Sequence, residues 1–122
     1  MPTHDEIAVT ALFEHYEDAL VRNDLEAMNA CFVDSDDVLR FGIADMQFGF
    51  DELVAWRATA SPVGPLRQIT RRVVQELAPG VVAVDVTFHN GDDSVVGRQS
   101  QTWVVRDGTW RIIRAHVSVI AL

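Results

Sequence analysis

Gly97-Arg98-Gln99-Ser100-Gln101-Thr102-Trp103, followed by Trp110-Arg111-Ile112-Ile113-Arg114-Ala115-His116-Val117-Ser118, reads as the two long strands of one hairpin near the end of the chain. Both stretches alternate side-chain character with the period of a strand, and Asp107-Gly108 supplies the turn between them. Strands that only filled a core would not carry two glutamines, two serines, a histidine and several arginines at alternating positions. One face of the hairpin is therefore expected to line a pocket.

Working outward, Leu66 to Leu77, Val81 to His89 and Ser94 to Arg106 are further strand-like runs, punctuated by Pro79-Gly80 and Asn90-Gly91; Trp110 to Ala121 closes the meander. Ser61-Pro62-Val63-Gly64-Pro65 is a loop, preceded by a helix from about Phe50 to Ala60 with Leu53, Val54 and Trp56 inward and acidic residues in its first turn. Val38 to Ile43 and Met46-Gln47-Phe48 form a short strand pair across an Ala44-Asp45 turn. At the start, Thr3-His4-Asp5-Glu6 has the form of a capping box, and Val9, Leu12, Phe13, Tyr16 and Leu20 follow at helical spacing. Asn23-Asp24-Leu25-Glu26 caps a second, shorter helix reaching Phe32, and the polar run Asp34-Ser35-Asp36-Asp37 stops it. Two helices, a strand pair, a helix and four long strands give an α+β order rather than alternating βαβ units. The natural architecture is a strongly curved, mostly antiparallel sheet wrapped around the long N-terminal helix, so that each buries the other's apolar face.

The chain has 122 residues, 48% hydrophobic and 23% charged, which fits one soluble globular domain spanning 1–122. It contains no apolar stretch of about 18 residues, and no signal peptide is read ahead of Thr3, so the cytoplasm is the expected address. A net charge of -8 argues against nucleic acid and against an anionic membrane surface, both of which need a basic footprint. It does not exclude a small anion, because a few arginines in a low-dielectric pocket can outweigh distant screened charge. Cys31 is the only cysteine and sits in an apolar helical stretch, where packing is the simpler role than nucleophile. His4, His15, His89 and His116 lack ligand spacing, and neither a phosphate-cradling glycine loop nor a Gly-x-Ser-x-Gly elbow is present. The pocket is expected to work without metal or cofactor.

Individual residues carry competing readings. Tyr16, on the apolar stripe of the first helix, is either a satisfied core tyrosine or a phenol facing a ligand. Arg40 stands among Val38, Leu39, Phe41 and Ile43; a buried guanidinium needs a carboxylate, so it pairs with one across a subunit interface or leaves its fork to a ligand. Strict alternation puts His116 and Ser118 on one face with Trp110, Ile112 and Arg114, either as structural polar groups or as a pocket wall. Gln99, Gln101 and Trp103 share one face, Arg98, Ser100 and Thr102 the other; one of those sets lines the cavity, and an amide there can both donate and accept. Of Arg71 and Arg72, only one can enter a cavity. Trp56 and Arg57 on the third helix either cap the mouth of the cavity or, as the simpler reading, stand as core and surface respectively.

The order of elements and the closing Trp-Arg-Ile-x-x-Ala-His-Val-Ser strand resemble the NTF2-like superfamily, the cone-shaped fold of ketosteroid isomerases and SnoaL-type cyclases, over essentially the whole chain. Within it, Leu39-Arg40-Phe41-Gly42, Gly49-Phe50-Asp51-Glu52-Leu53, Gly97 to Trp103 and Ala115-His116-Val117-Ser118 resemble the AtzH-like group, which includes proteins named for oxalurate catabolism. That resemblance implies a decarboxylating amidohydrolase acting on carboxylated ureas, with a tyrosine on the first helix and an arginine on the first strand carrying the reaction. Tyr16 and Arg40 stand at those places. The implied catalytic pair is therefore Tyr16 and Arg40, with Gln101, His116, Ser118 and Arg71 as substrate contacts and a small carboxylate anion as ligand. The rival readings are a non-catalytic binding module serving a separate amidase, and a ketosteroid-type isomerase or cyclase, which would need a buried acidic base such as Asp37 or Asp85. A homodimer is expected, because residues such as Val104 and Ile113 would otherwise leave the outer sheet face apolar.

Overall fold

Why the chain begins as a helix is visible in its first four residues. In a computed structural model describing residues 1–122, the Thr3 hydroxyl accepts from the Glu6 N–H at 3.1 Å and the Glu6 carboxylate accepts from the Thr3 N–H at 2.9 Å. This reciprocal cap starts α1 (His4–Arg22), which buries Val9, Phe13, Tyr16 and Ala19 and stops where Asn23 turns left-handed at φ 54°. Asp24 then caps α2 (Leu25–Ala30) by accepting the Ala27 N–H.

The remaining elements are β1 (Leu39–Phe41), β2 (Met46–Phe48), α3 (Phe50–Arg57), β3 (Gln68–Ala78), β4 (Val81–His89), β5 (Val95–Arg106) and β6 (Thr109–Ala121). The strands make one six-stranded sheet in the order β2-β1-β6-β5-β4-β3, in which only β1 and β6 run parallel. This is the α+β, mostly antiparallel sheet expected from the element order. β1 is shorter than the apolar run Val38 to Ile43 because Gly42 already closes a turn, donating its N–H to the Asp45 carbonyl at 2.9 Å. α3 likewise ends at Arg57 rather than Ala60, trailing off in a turn.

The inner face of the sheet packs on α1 around Trp103, Phe13, Phe32, Met28 and Leu53, all fully buried. Each such side chain contributes roughly 1.5–3 kcal/mol of burial. Gly97 belongs to this packing: a β-carbon there would lie 2.4 Å from the Phe88 ring, so the first residue of the Gly-Arg-Gln-Ser-Gln-Thr-Trp string can only be glycine without displacing an aromatic. Val104 and Ile113, read from sequence as an apolar outer surface, pack partly against the core instead.

One irregularity decides which residues face inward. Trp103 pairs with Ile112 and Thr102 with Arg114, leaving Ile113 as an extra residue in β6. The alternation therefore changes phase: Ile112 and Ala115 are both buried, whereas Arg114 and His116 are exposed. The strict alternation that grouped Ile112 with His116 and Ser118 is broken by this bulge.

Candidate anion site in the cone

A row of side chains in register across the sheet builds the inner wall. Gln47 lies opposite Arg40, Arg40 opposite Ala115, Ala115 opposite Gln101, and Gln101 opposite Val84. Arg40 shares its face with fully buried Val38, so the parity of the short first strand aims the guanidinium inward, and the small Ala115 beside it leaves room. α1 supplies Tyr16 and α3 supplies Trp56 and Arg57 from the facing side. The resulting cavity is about 190 Å³ and is lined by Tyr16, Arg40, Asp45, Trp56, Arg57, Arg67, Gln99 and Gln101 together with apolar residues. It is smaller than the roughly 300–1,000 Å³ usual for drug-sized ligands, which favours a small molecule.

Arg40 is held on one side only. Its Nη1 donates to Asp45 Oδ1 at 2.7 Å and to Gln47 Oε1 at 3.0 Å, while the guanidinium carbon lies 3.8 Å from the centre of the Trp56 ring. These protein hydrogen bonds use a single nitrogen of the fork, so Nε and Nη2 remain for a ligand. Burial pushes the guanidinium below arginine's ordinary pKa, opposed by Tyr16 and Asp45 and reinforced by the charge of Arg57. Gly42 makes the ion pair possible: a β-carbon there would lie 2.4 Å from Asp45 Oδ1 and 2.7 Å from Arg40 Nη1. The pair is internal to the chain, so Arg40 does not depend on a neighbouring subunit for its carboxylate.

Tyr16 is buried and forms a wall of the same cavity, its ring edge-on to Phe32 at 5.9 Å. Gln101 also faces inward, accepting the Trp103 indole N–H at 3.0 Å and keeping its amide NH₂ available. Tyr16, Arg40 and Gln101 are thus brought together.

The other three expected contacts are not. His116 lies in the outer row between Phe41 and Ser100, with its ring 5.7 Å from that of Phe41. Ser118 accepts from Arg98 Nε at 3.1 Å, and Arg71 stands in the same outer row, opposite Thr87. The β6 bulge accounts for His116 and Ser118, and a second register shift between Ile69 and Arg71 turns Arg71 outward and Arg72 toward Glu14 of α1. Asp37 and Asp85, the sequence candidates for a buried base, are exposed, and the acid that does line the cavity is Asp45.

Sequence reasoning missed two buried arginines. Arg67, in the loop before β3, donates Nε to Glu17 Oε1 at 2.8 Å and Nη2 to Glu17 Oε2 and Gln99 Oε1 at 3.2 Å each, and its side chain is 3% exposed. Glu17 sits four residues after Phe13 on the buried stripe of α1, and a carboxylate at such a position calls for a cation. Arg57, read as surface, is 4% exposed, whereas Val54, read as inward, is exposed. The signal was its place four residues after fully buried Leu53 on α3. Cys31 packs as expected beside these groups; burial pushes its thiol pKa up, against the opposing charge of Arg57.

Six curved strands around a long first helix, with the cavity between them, define an NTF2-like fold. An NTF2-like protein of unknown function from Pseudomonas putida superposes with a TM-score of 0.79 at 18% identity, over 97% of this chain and 88% of that one, a likeness of fold. The profile of the AtzH-like family matches residues 4–122, and the chain belongs to that family. It is similar to a cystatin-like fold protein from Burkholderia xenovorans (40% identity, TM-score 0.90, 98% of this chain and 95% of that one). It is also similar to a protein of unknown function from Pectobacterium atrosepticum (31% identity, TM-score 0.89, 98% and 94%). No curated protein matched the sequence. Family and fold together support a small-molecule-binding or isomerase-type module, and no helix is long and apolar enough to cross a membrane.

Proposed function

We propose that this protein is a cofactor-free decarboxylating amidohydrolase acting on a small urea-derived carboxylate, of the 1,3-dicarboxyurea or oxalurate type. The observation that carries the reading is Arg40: a largely buried guanidinium with one nitrogen bound to protein and the rest of its fork open, in the same small cavity as Tyr16. Arg40 pairs with a substrate carboxylate and Gln101 orients the amide. For an N-carboxylated urea, the Tyr16 hydroxyl protonates the departing nitrogen, which keeps the C–N bonding pair as carbon dioxide leaves; water then returns the proton to the phenolate, and the hydroxide formed is taken up by the carbon dioxide as bicarbonate. Favourable charge from Arg40 stabilises that phenolate while it lasts.

The test is turnover of 1,3-dicarboxyurea and oxalurate by the purified protein and by Tyr16→Phe and Arg40→Ala variants. Both variants should fold, and Tyr16→Phe should lose about 10²- to 10⁴-fold in kcat, the usual worth of a positioned acid. Undiminished turnover in both variants would overturn the assignment. Tight binding of these anions by a wild-type protein that never turns them over would make it a carrier or accessory subunit for a separate amidase.

A further inference from the structure

Arg57 holds the only fully buried side-chain polar atom in the chain with no hydrogen-bond partner, its Nη2. The rest of the guanidinium is fixed by neutral groups: Nε donates to Asn29 Oδ1 at 2.8 Å and Nη1 lies 3.2 Å from Met28 Sδ. Its carbon stands 5.4 Å from the centre of the Trp56 ring, the ring on which Arg40 also stacks. No carboxylate pairs with it; the ion pairs of the chain involve Arg22, Arg40, Arg67, Arg72 and Arg106. A cation buried in this way is costly unless something negative reaches it. The single acid lining the cavity, Asp45, is already bonded to Arg40 and Gln47.

We propose that Arg57 is a second anion anchor of the cavity, and that its missing counter-charge is a carboxylate of the bound ligand. The inference rests on the reading that the cavity takes a small anion, and it adds a specificity determinant on α3. Arg40 and Arg57 together favour a ligand with two negative groups over one of equal size with a single charge. Asn29 is a positioning residue that holds the guanidinium from α2, so occupancy of Nη2 ties α2 and α3 to the sheet.

The test uses malonate and its half-amide malonamate, which match in size and differ in charge, titrated calorimetrically into wild type and Arg57→Met. Wild type should prefer malonate by roughly tenfold or more, the worth of one charge-assisted hydrogen-bonded contact. Arg57→Met should bring that ratio close to one while malonamate, held by Arg40, binds as before. Ligand-free Arg57→Met should also melt no lower than wild type, because removing an unpaired buried cation relieves a penalty. A merely structural arginine would give a lower melting temperature and an unchanged ratio, which would overturn the proposal. Should Arg57→Met fail to fold, Arg57→Gln replaces it in the same comparison. Both titrations read binding alone, so a lost preference without urea-carboxylate turnover leaves the anchor standing and removes the hydrolase reading. Normal turnover with an unchanged ratio does the reverse, and a wild type that binds neither anion overturns the anchor outright.

Discussion

Arg67 and Arg57 line the same cavity, yet their surroundings differ in kind. Arg67 meets Glu17 through two nitrogens, adds Gln99, and has its guanidinium carbon 4.0 Å from the centre of the Phe88 ring. Arg57 meets an amide, a thioether and ring faces, and keeps one nitrogen unbound. The first wall is electrically closed and works as structure; the second is open, and Arg40 beside it is half open. Burial alone does not mark a functional arginine. The two arginines differ in the number of their partners and in whether any is charged.

The largest test of that contrast is to open the closed wall. Glu17→Ala leaves the Arg67 charge buried and unpaired, and should cost about 3–5 kcal/mol in urea denaturation. The double variant Glu17→Leu with Arg67→Met should recover most of the loss. If the single substitution costs under about 1 kcal/mol, the two walls are not different in the way described.

A smaller effect is expected from the outer face. His116→Ala, Ser118→Ala and Arg71→Ala should each change stability by no more than about 0.5 kcal/mol and leave malonate affinity unaltered. A several-fold loss of affinity on any of the three would mean that the outer row takes part in binding after all.

The smallest concerns the end of α1 remote from both walls. Glu6 accepts the Glu76 N–H as well as that of Thr3, and these bonds hold its carboxyl below the ordinary glutamate range. A depressed pKa contributes stability above the unfolded value and loses it as pH falls through the folded one. Wild type should therefore lose its advantage over Glu6→Gln as the pH drops below about 4, and keep it at neutral pH. An advantage independent of pH would show that the cap acts through its neutral geometry.

The fold and three of the residues lining the cavity, Tyr16, Arg40 and Gln101, were legible in the sequence for physical reasons that can be named. The capping box at Thr3, the Asp24 cap and the glycine-marked turns are local, so their residues announce them. Tyr16 and Arg40 stood out through the family resemblance, and Gln101 through alternation that holds along β5. His116 and Ser118 were misplaced because a single extra residue in β6 reverses the facing of everything after it, and nothing in Ile112-Ile113 advertises a bulge. Arg57 carries a charge that reads as surface, whereas its helical spacing from buried Leu53 turns it inward.

The amino-acid sequence by itself determined the order of elements, the long first helix, the meander and the pairing of like positions along each strand, since these follow from short-range periodicity and caps. Only the tertiary structure decided which arginines are spent and which are free. That outcome depends on residues 28 and 50 positions apart, Arg57 with Asn29 and Arg67 with Glu17, brought together by packing that no local pattern encodes. The terminal hairpin contributes Gln99, Gln101 and Ala115 to the cone, and the charges that define the cone's chemistry come from the helices, the first strand and a loop.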